Sequence, residues 1–329
     1  MIKPHLRAGM DVTKGFSLKA FSNDELYTIH LATLEVLEQT GIEVLHDEAL
    51  DIFDGGGCIV DKKKNLVKIP PYVVEDAIRS APSRVLLAGR SPKDDVVLED
   101  KKVHFMSFGT GLMVIDPFTG EYRESTKQDI ANAALVCDAL SEVDVVEKMI
   151  TARDVPPEVN PFHQMEALLP NTTKHVWGAS VTSVEEARIV IEMAAAVVGG
   201  KERLRERPLI NWNVCPVSPL TLGKDCCEQI IELVRAGLPC SIIPMPMAGA
   251  TAPVTLAGLL VIHNAETLSA IVLAQLIRKG APVIYASSST CLDLRTATAA
   301  VGSPELAVIS AAVVKLAQYY RLCSLVAGG

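Results

Sequence analysis

Two histidine–glutamate pairs have spacing that could bind a metal ion. Glu166 follows His163 by three positions, and Glu266 follows His263 in the same way. On a helix this spacing places both side chains on one face, where they could share a metal ion. Each pair supplies only two ligands, and the sequence suggests no third or fourth ligand for either. We therefore interpret both pairs as hydrogen-bonding residues of helix surfaces or helix–helix contacts, and we predict no metal site.

Polar residues at the ends of predicted buried strands are better candidates for a binding site. The sequence has no P-loop, no H-E-x-x-H motif, no Ser/His/Asp grouping and no G-x-G-x-x-G after a strand. In barrel enzymes the active site collects at the C-terminal ends of the strands. By that position alone, the substrate-binding candidates are Arg153, Asp154, Asn211, Asn213 and Ser287, with Ser180 as a further strand-end hydroxyl. The C-terminal end of the predicted barrel, formed by these residues, is rich in amides and hydroxyls and poor in acid/base pairs.

Three aromatic residues lie within the predicted strands. Trp177, Trp212 and Tyr285 could fill the core, or they could face a cationic ligand. We interpret them as core residues.

The elements that must position these residues alternate between strand and helix from about Ser125 onward, where Ser125 and Gln128 predict a helix start. Six apolar runs start about 30 to 40 residues apart, a spacing typical of βα units. They are 145–151, 175–179, 209–214, 240–245, 283–286 and 323–326. Strands that are apolar without alternation indicate a parallel sheet covered on both faces. We predict an α/β protein whose residues 125–329 form an incomplete (β/α)8 TIM barrel.

Residues 1–124 predict a separate N-terminal α+β lobe. Ser22 and Glu25 form a capping box before an apolar-periodic helix that Gly41 is placed to end. Two hairpins follow, at about 58–69 and 112–123, with a helix beginning at Pro70-Pro71 between them.

The number of strands is too small for a closed barrel, which needs eight. The sixth run reaches its C-terminal end at Gly329, the last residue. An open six-stranded remnant would leave unpaired edges and an unfilled interior. We therefore expect a TIM barrel truncated after the sixth strand.

Composition and charge exclude several classes of protein. Apolar residues make up 49% of the 329 residues, enough for a large core, so a disordered chain is excluded. With 31 Lys and Arg against 39 Asp and Glu, the net charge is −8, which argues against nucleic-acid binding. Prolines and charged residues interrupt the apolar stretch 240–277, so we expect a strand, a loop and a core helix rather than a membrane span. The eight scattered cysteines and the absence of a secretory signal indicate reduced thiols and a cytoplasmic protein.

Seven sequence blocks together resemble one known family, the corrinoid-dependent trimethylamine methyltransferases. The resemblance runs from about Phe21 to Gly329 and keeps the order of the blocks. They are FGTG at 108–111, ARD at 152–154, NTTKH at 171–175, CPVSPL at 215–220, TLAG at 255–258, HNAE at 263–266 and VGSPEL at 301–306. The resemblance implies transfer of a methyl group from trimethylamine to the Co(I) corrinoid of a separate partner protein, with no cofactor bound to this chain directly. It also implies a small methylated amine as substrate and a homo-oligomeric enzyme.

The resemblance also offers an explanation for the chain end. In trimethylamine-specific members a segment similar to Val326–Gly329 precedes an in-frame UAG codon that is read as pyrrolysine. By that match pyrrolysine is expected at the first position after Gly329, and Gly328 and Gly329 join the substrate-binding candidates. Attack of the amine nitrogen on the pyrrolysine imine would make a neutral amine the leaving group. We expect the 329-residue fragment to be inactive by itself.

Three alternatives stay open at this point. A glycine-betaine-type corrinoid methyltransferase without pyrrolysine would need a sense codon after Gly329. A non-catalytic, truncated relative could bind only the corrinoid protein. An ordinary phosphate-binding barrel enzyme would use loops after strands seven and eight, which the sequence does not contain.

Overall fold

The chain folds into alternating helices and strands, and the computed structural model describes residues 21–99, 102–178 and 181–327. The helices of these residues are α1 (Asn23–Glu35), α2 (Asp47–Gly55), α3 (Pro71–Ser80), α4 (Lys127–Ala139), α5 (Asn160–Leu168), α6 (Val184–Val198), α7 (Lys201–Glu206), α8 (Lys224–Ala236), α9 (Leu256–Ile277) and α10 (Pro304–Tyr319). The strands are β1 (Ile42–Val44), β2 (Ile59–Asp61), β3 (Leu66–Lys68), β4 (Arg84–Leu87), β5 (Val96–Glu99), β6 (Met113–Ile115), β7 (Tyr122–Glu124), β8 (Val145–Glu147), β9 (His175–Trp177), β10 (Ile210–Val214), β11 (Thr221–Leu222), β12 (Cys240–Ile242), β13 (Met247–Ala248), β14 (Val283–Ser287), β15 (Thr290–Asp293), β16 (Thr298–Ala299) and β17 (Cys323–Val326).

Local capping chemistry sets the starts of the helices. The predicted box at α1 is confirmed, because Ser22 accepts from the Glu25 N–H and the Glu25 carboxylate accepts from the Ser22 N–H. The prediction that Ser125 caps α4 is wrong: the N-cap is Thr126, and the Asp129 carboxylate accepts its N–H at 2.8 Å. The Ser125 hydroxyl is instead oriented toward other backbone groups: it donates to the Thr151 carbonyl oxygen at 2.6 Å and lies 3.0 Å from that of Leu112.

The contacts divide the chain into two units, of which the first comprises Leu86–Trp212 and Ala236–Pro239. In it β8, β9 and β10 are parallel and hydrogen-bonded in the order β10-β9-β8. The register places Glu147 opposite Trp177, and Trp177 opposite Asn211. Residues opposite one another in a sheet point to the same face. Glu147, Trp177 and Asn211 therefore form one row on a single face.

The second unit comprises residues 21–85, Asn213–Arg235 and 240–327. Its parallel strands have the order β17-β14-β12. Helix α9 connects β12 to β14 and packs on both, and α10 connects β14 to β17 and packs on both. These are the βα repeats that the spacing of the apolar runs predicts. Strand β10 passes from the first unit, which holds its first three residues, into the second.

A small mixed sheet in the second unit has the order β11-β1-β3-β2. The predicted hairpin is present as antiparallel β2 and β3, and β1 pairs antiparallel with β3 and parallel with β11. Glu43 of β1 lies opposite Thr221 of β11, so the first part of the chain shares a sheet with a segment far along the sequence. The predicted boundary between residues 124 and 125 stays a prediction.

Helix α9 is the core helix expected within 240–277. By length and composition it could cross a membrane, and it is the single such helix in the described residues, but 72% of its apolar window is buried inside the protein. It packs against α1, α2 and α3. Its one charged side chain, Glu266, is 1% exposed and hydrogen-bonded within the protein. Burial against protein on several sides accounts for its apolar surface.

The α/β class and all six predicted parallel strands are therefore confirmed. Closure into a (β/α)8 barrel and truncation after the sixth strand stay predictions. Sequence analysis missed the short helix α7 and seven strands of two to four residues, which are too short to carry a periodic signal. These strands are β1, β4, β5, β11, β13, β15 and β16.

Candidate active site

The first parallel strand ends at Glu147, earlier than the predicted end at Thr151. The apolar run continues through Met149 and Ile150, but these residues bond to a different segment. The Gly111 N–H donates to the Met149 carbonyl at 2.8 Å, and the Thr151 N–H donates to the Gly111 carbonyl at 2.9 Å. The residue at the C-terminal end of this strand is therefore Glu147, which sequence analysis did not select as a candidate.

The Ser107 hydroxyl makes two hydrogen bonds to the backbone of Glu147. The Ser107 hydroxyl accepts from the Glu147 N–H at 2.8 Å and lies 3.2 Å from the Glu147 carbonyl oxygen, to which it donates. Gly178, at φ +97°, lies beside the side chain, and a Cβ there would be 3.3 Å from the Glu147 Cγ. Burial raises the pKa of the Glu147 carboxyl to about 7, while the charge of Lys148 lowers it.

Asn211 is the predicted site residue that shares the row of Glu147. It is 1% exposed, and its Oδ1 lies 3.0 Å from His175 Nε2. The other ring nitrogen of His175 lies 3.0 Å from the Pro208 carbonyl oxygen and 3.2 Å from that of Ala88. Burial lowers the pKa of His175 to about 4, so the ring is neutral near pH 7 and has one N–H to donate.

One polar atom of the Asn211 amide therefore has no hydrogen-bond partner among the described residues. Its Nδ2 is buried and without a hydrogen-bond partner. An amide rotated by 180° would place Nδ2 against His175 and leave the oxygen unpaired instead. In either orientation one polar atom of the Asn211 amide has no hydrogen-bond partner among the described residues.

Arg153 and Asp154 are exposed and already have partners. Arg153 donates to the Glu124 carboxylate at 2.9 Å, and Asp154 accepts from the Lys127 N–H at 2.8 Å, at the first residue of α4. These contacts are those of a surface ion pair and of a helix N-terminus. The structure does not bring either residue into the row of Glu147, Trp177 and Asn211.

The remaining candidates lie at other strand ends. Asn213 follows Asn211 on the same face of β10, and Ser287 is the last residue of β14, where its hydroxyl accepts from the Ser289 N–H at 3.1 Å. In this second unit the hydroxyls of Ser241 and Ser289 are buried without a hydrogen-bond partner. Ser180, Gly328 and Gly329 lie outside the described residues.

Both histidine–glutamate pairs have hydrogen-bonding roles, as predicted. Lys127 Nζ lies 2.8 Å from His163 Nδ1 and donates to Glu166 at 2.6 Å. His263 Nε2 lies 3.1 Å from the Ala286 carbonyl oxygen. Glu266 accepts from the Ser218 hydroxyl at 2.8 Å and the Leu220 N–H at 2.9 Å. Over the described ranges, no group of three or more His, Cys, Asp or Glu side chains is arranged to hold a metal ion.

The strand aromatics fill the core. Trp212 and Tyr285 are fully buried, and Trp177 is 2% exposed. The Tyr285 hydroxyl donates to Asn264 Oδ1 at 2.8 Å, and the Asn264 amide donates to the Tyr320 hydroxyl at 2.8 Å. This chain of polar contacts links α9, β14 and the residue after α10, so its role is structural.

Comparison with known sequences decides the family. The sequence profile of the trimethylamine methyltransferase (MTTB) family matches residues 7–329. The chain belongs to the trimethylamine methyltransferase family. The trimethylamine methyltransferase MttB of Desulfitobacterium hafniense is 51% identical over 328 residues, which are 100% of this chain and 66% of that protein. MttB of Methanosarcina barkeri is 44% identical over 333 residues, 100% of this chain and 67% of that protein.

A relative with a different named substrate is more distant. The glycine betaine methyltransferase of Desulfitobacterium hafniense is 33% identical over 309 residues, covering 94% of this chain and 64% of that protein. The chain thus spans about two thirds of the length of these curated relatives.

Among solved structures, the monomethylamine methyltransferase MtmB of Methanosarcina barkeri matches with a TM-score of 0.56 and 14% identity, over 92% of this chain and 67% of that one. A second structure, the hydroxylamine complex of MtmB, matches with a TM-score of 0.57 and the same identity and coverage. At this identity the likeness concerns the fold alone.

Proposed function

We propose that the chain is part of a trimethylamine:corrinoid protein methyltransferase, which moves a methyl group from trimethylamine to the Co(I) corrinoid of a partner protein. The observation that carries this proposal is the family match over residues 7–329 together with 51% identity to a trimethylamine methyltransferase. The glycine betaine methyltransferase, at 33% identity, supports the alternative substrate less well.

The contacts of this chain suit a reaction that depends on positioning. Asn211 and Glu147 lie in one row of the sheet with polar atoms left for a ligand, while His175, which contacts Asn211, is neutral and hydrogen-bonded. Holding the amine in line with its acceptor in a water-poor mouth is the main contribution expected of the protein. A pyrrolysine would supply an electrophilic imine for the amine nitrogen.

The partners follow from the same proposal. A corrinoid protein would bring the cobalt, and this chain would bind no cofactor directly. The enzyme is proposed to act in the cytoplasm as a homo-oligomer. Arg153, Asp154, Asn213, Ser287, Gly328 and Gly329 remain proposed substrate-binding residues, by their position or by the family resemblance.

Methyl transfer itself tests the function. The product of the complete gene would be mixed with its cognate Co(I) corrinoid protein, and the absorbance of methyl-Co(III) would be followed after addition of trimethylamine or glycine betaine. Formation of methyl-Co(III) with trimethylamine alone supports the proposal. Formation with glycine betaine alone identifies the betaine-type alternative. Binding of the corrinoid protein without transfer from either amine identifies a non-catalytic relative.

The gene sequence beyond the Gly329 codon tests the proposed pyrrolysine. An in-frame UAG followed by further coding sequence is the expected result. A sense codon would overturn the pyrrolysine proposal and favour a quaternary-amine substrate. UAA or UGA would remove the basis for the pyrrolysine proposal and for the quaternary-amine alternative.

A further inference from the structure

The Glu147 carboxylate is an ionisable group that the described residues position but do not pair. Its backbone is fixed by Ser107, and its side chain lies next to the space that Gly178 leaves. Among the described residues no side chain or N–H donates a hydrogen bond to the carboxylate, and no cation lies within ion-pair distance of it. A partly buried carboxylate without donors is costly for the folded protein.

The neighbouring groups restrict the ligand that could complete this site. Trp177, opposite Glu147 in the register, presents an apolar and aromatic neighbour, and Asn211 follows in the same row. His175, on the same face of β9, is neutral near pH 7, and Lys148 is the group whose charge acts on Glu147. The row thus has one anionic group beside apolar surface, which suits a small cation with a hydrogen-bond donor and little other polarity.

Trimethylamine meets this description when it is protonated. In neutral water it exists mainly as trimethylammonium, which has one N–H and three methyl groups. The nitrogen has no lone pair for reaction until that proton leaves. Glycine betaine has no N–H to donate to Glu147, and its own carboxylate would be repelled by that of Glu147.

We propose, resting on the proposed function, that the Glu147 carboxylate binds the N–H of trimethylammonium and accepts its proton. The N–H bond breaks as the O–H bond of the Glu147 carboxyl forms, and neutral trimethylamine with a free lone pair remains in the site. The same carboxylate selects tertiary ammonium ions over betaines. The raised pKa of Glu147 makes it a stronger proton acceptor than an ordinary carboxylate.

Equilibrium binding to the purified product of the complete gene tests this. Trimethylammonium chloride and glycine betaine would be titrated by calorimetry into the wild type, Glu147→Gln, Glu147→Asp and the control Glu158→Gln. Glu158 is an exposed carboxylate of the same unit, so its substitution changes the net charge equally. Circular dichroism would verify that each variant is folded.

We expect trimethylammonium affinity of the wild type to rise about tenfold from pH 6 to pH 8, as Glu147 ionises. Glu147→Gln should weaken trimethylammonium binding at pH 8 by at least about tenfold and remove its pH dependence. Glu147→Asp should keep part of the affinity and part of the pH dependence. The control Glu158→Gln should leave the affinity and its pH dependence unchanged. Betaine binding should not weaken in Glu147→Gln. Equal trimethylammonium binding by Glu147→Gln and wild type, or no binding by the wild type, overturns the inference. The methyl-transfer assay decides the proposed function separately, because it does not depend on which carboxylate contacts the amine.

Discussion

Replacing Glu266 by glutamine should change the pH dependence of stability more than stability itself. The carboxylate is 1% exposed and accepts hydrogen bonds from Ser218 and Leu220. A glutamine can keep both contacts, since its oxygen accepts from the Leu220 N–H and its amide donates to the Ser218 oxygen. What the substitution removes is the ionisation of a buried group.

The size of the effect follows from the pKa. Burial raises the pKa of Glu266 to about 7 from the ordinary 4.5, against the opposing effect of its two hydrogen bonds. The folded protein therefore binds this proton more tightly than the unfolded chain. The resulting contribution to stability is complete below about pH 4.5 and is lost as the pH rises through about 7. Between pH 5.5 and pH 8 the loss amounts to about 2 kcal/mol.

Urea unfolding of the wild type and Glu266→Gln at both pH values measures this. The difference between the two proteins should shift by about 2 kcal/mol in favour of the variant at pH 8. Taking the difference cancels the contributions of His175 and His263. Glu266→Ala is the matched control for the hydrogen bonds, and it should be about 3 kcal/mol less stable than Glu266→Gln at either pH because both donors lose their acceptor.

A difference between wild type and Glu266→Gln that stays constant within about 0.5 kcal/mol across this pH range would refute the reasoning, because Glu266 would then not titrate in it. A large loss of stability in Glu266→Gln at pH 5.5 would contradict the claim that an amide keeps both contacts.

Three further predictions concern other groups packed within the fold. Gly109→Ala should destabilise the protein by more than about 3 kcal/mol in urea unfolding, because a Cβ there would clash with the Lys148 carbonyl oxygen. The control Gly55→Ala places its Cβ in open space and should change stability by no more than about 1 kcal/mol. Equal effects of the two substitutions would contradict this. Tyr285→Phe should cost about 1 to 3 kcal/mol by leaving Asn264 Oδ1 without its donor, and exposed Tyr122→Phe should cost nothing measurable. His175 and His263, whose pKa burial lowers to about 4, should show no imidazole titration by NMR between pH 5.5 and 8; a midpoint near 6.5 in either ring would refute their burial as neutral groups.

The sequence predicts what is encoded within a few residues. Ser22, Glu25 and Gly41 define both ends of the first helical segment, and the structure confirms each. The spacing of the apolar runs predicts the alternation of strand and helix because each unit needs one strand and one covering helix. These signals depend on local chemistry, so one sequence is enough to read them.

The errors occur where a distant segment decides the outcome. The run from Val145 to Thr151 is interrupted by the charged pair Glu147 and Lys148, at the point where the strand ends, and the apolar Met149 and Ile150 that follow make the run look longer than the strand. After Glu147 the chain pairs instead with the segment around Gly111, which hydrogen-bonds to Met149 and Thr151. Gly111 lies about 40 residues before these two partners in the sequence. The predicted strand end therefore lies four residues beyond the observed one at Glu147, and the candidates chosen by strand-end position, Arg153 and Asp154, follow that predicted end.

Glu147 and Glu266 show why a shifted pKa alone does not identify a functional carboxylate. Burial raises both pKa values to about 7. Glu266, however, accepts hydrogen bonds from Ser218 and Leu220, so the protein itself supplies its donors and fixes a loop in return. Glu147 is held by its backbone alone, and the described chain gives its carboxylate no donor. Within the described residues the fold supplies donors to the carboxylate of Glu266 and none to that of Glu147, so we infer a structural role for Glu266 and ligand binding for Glu147.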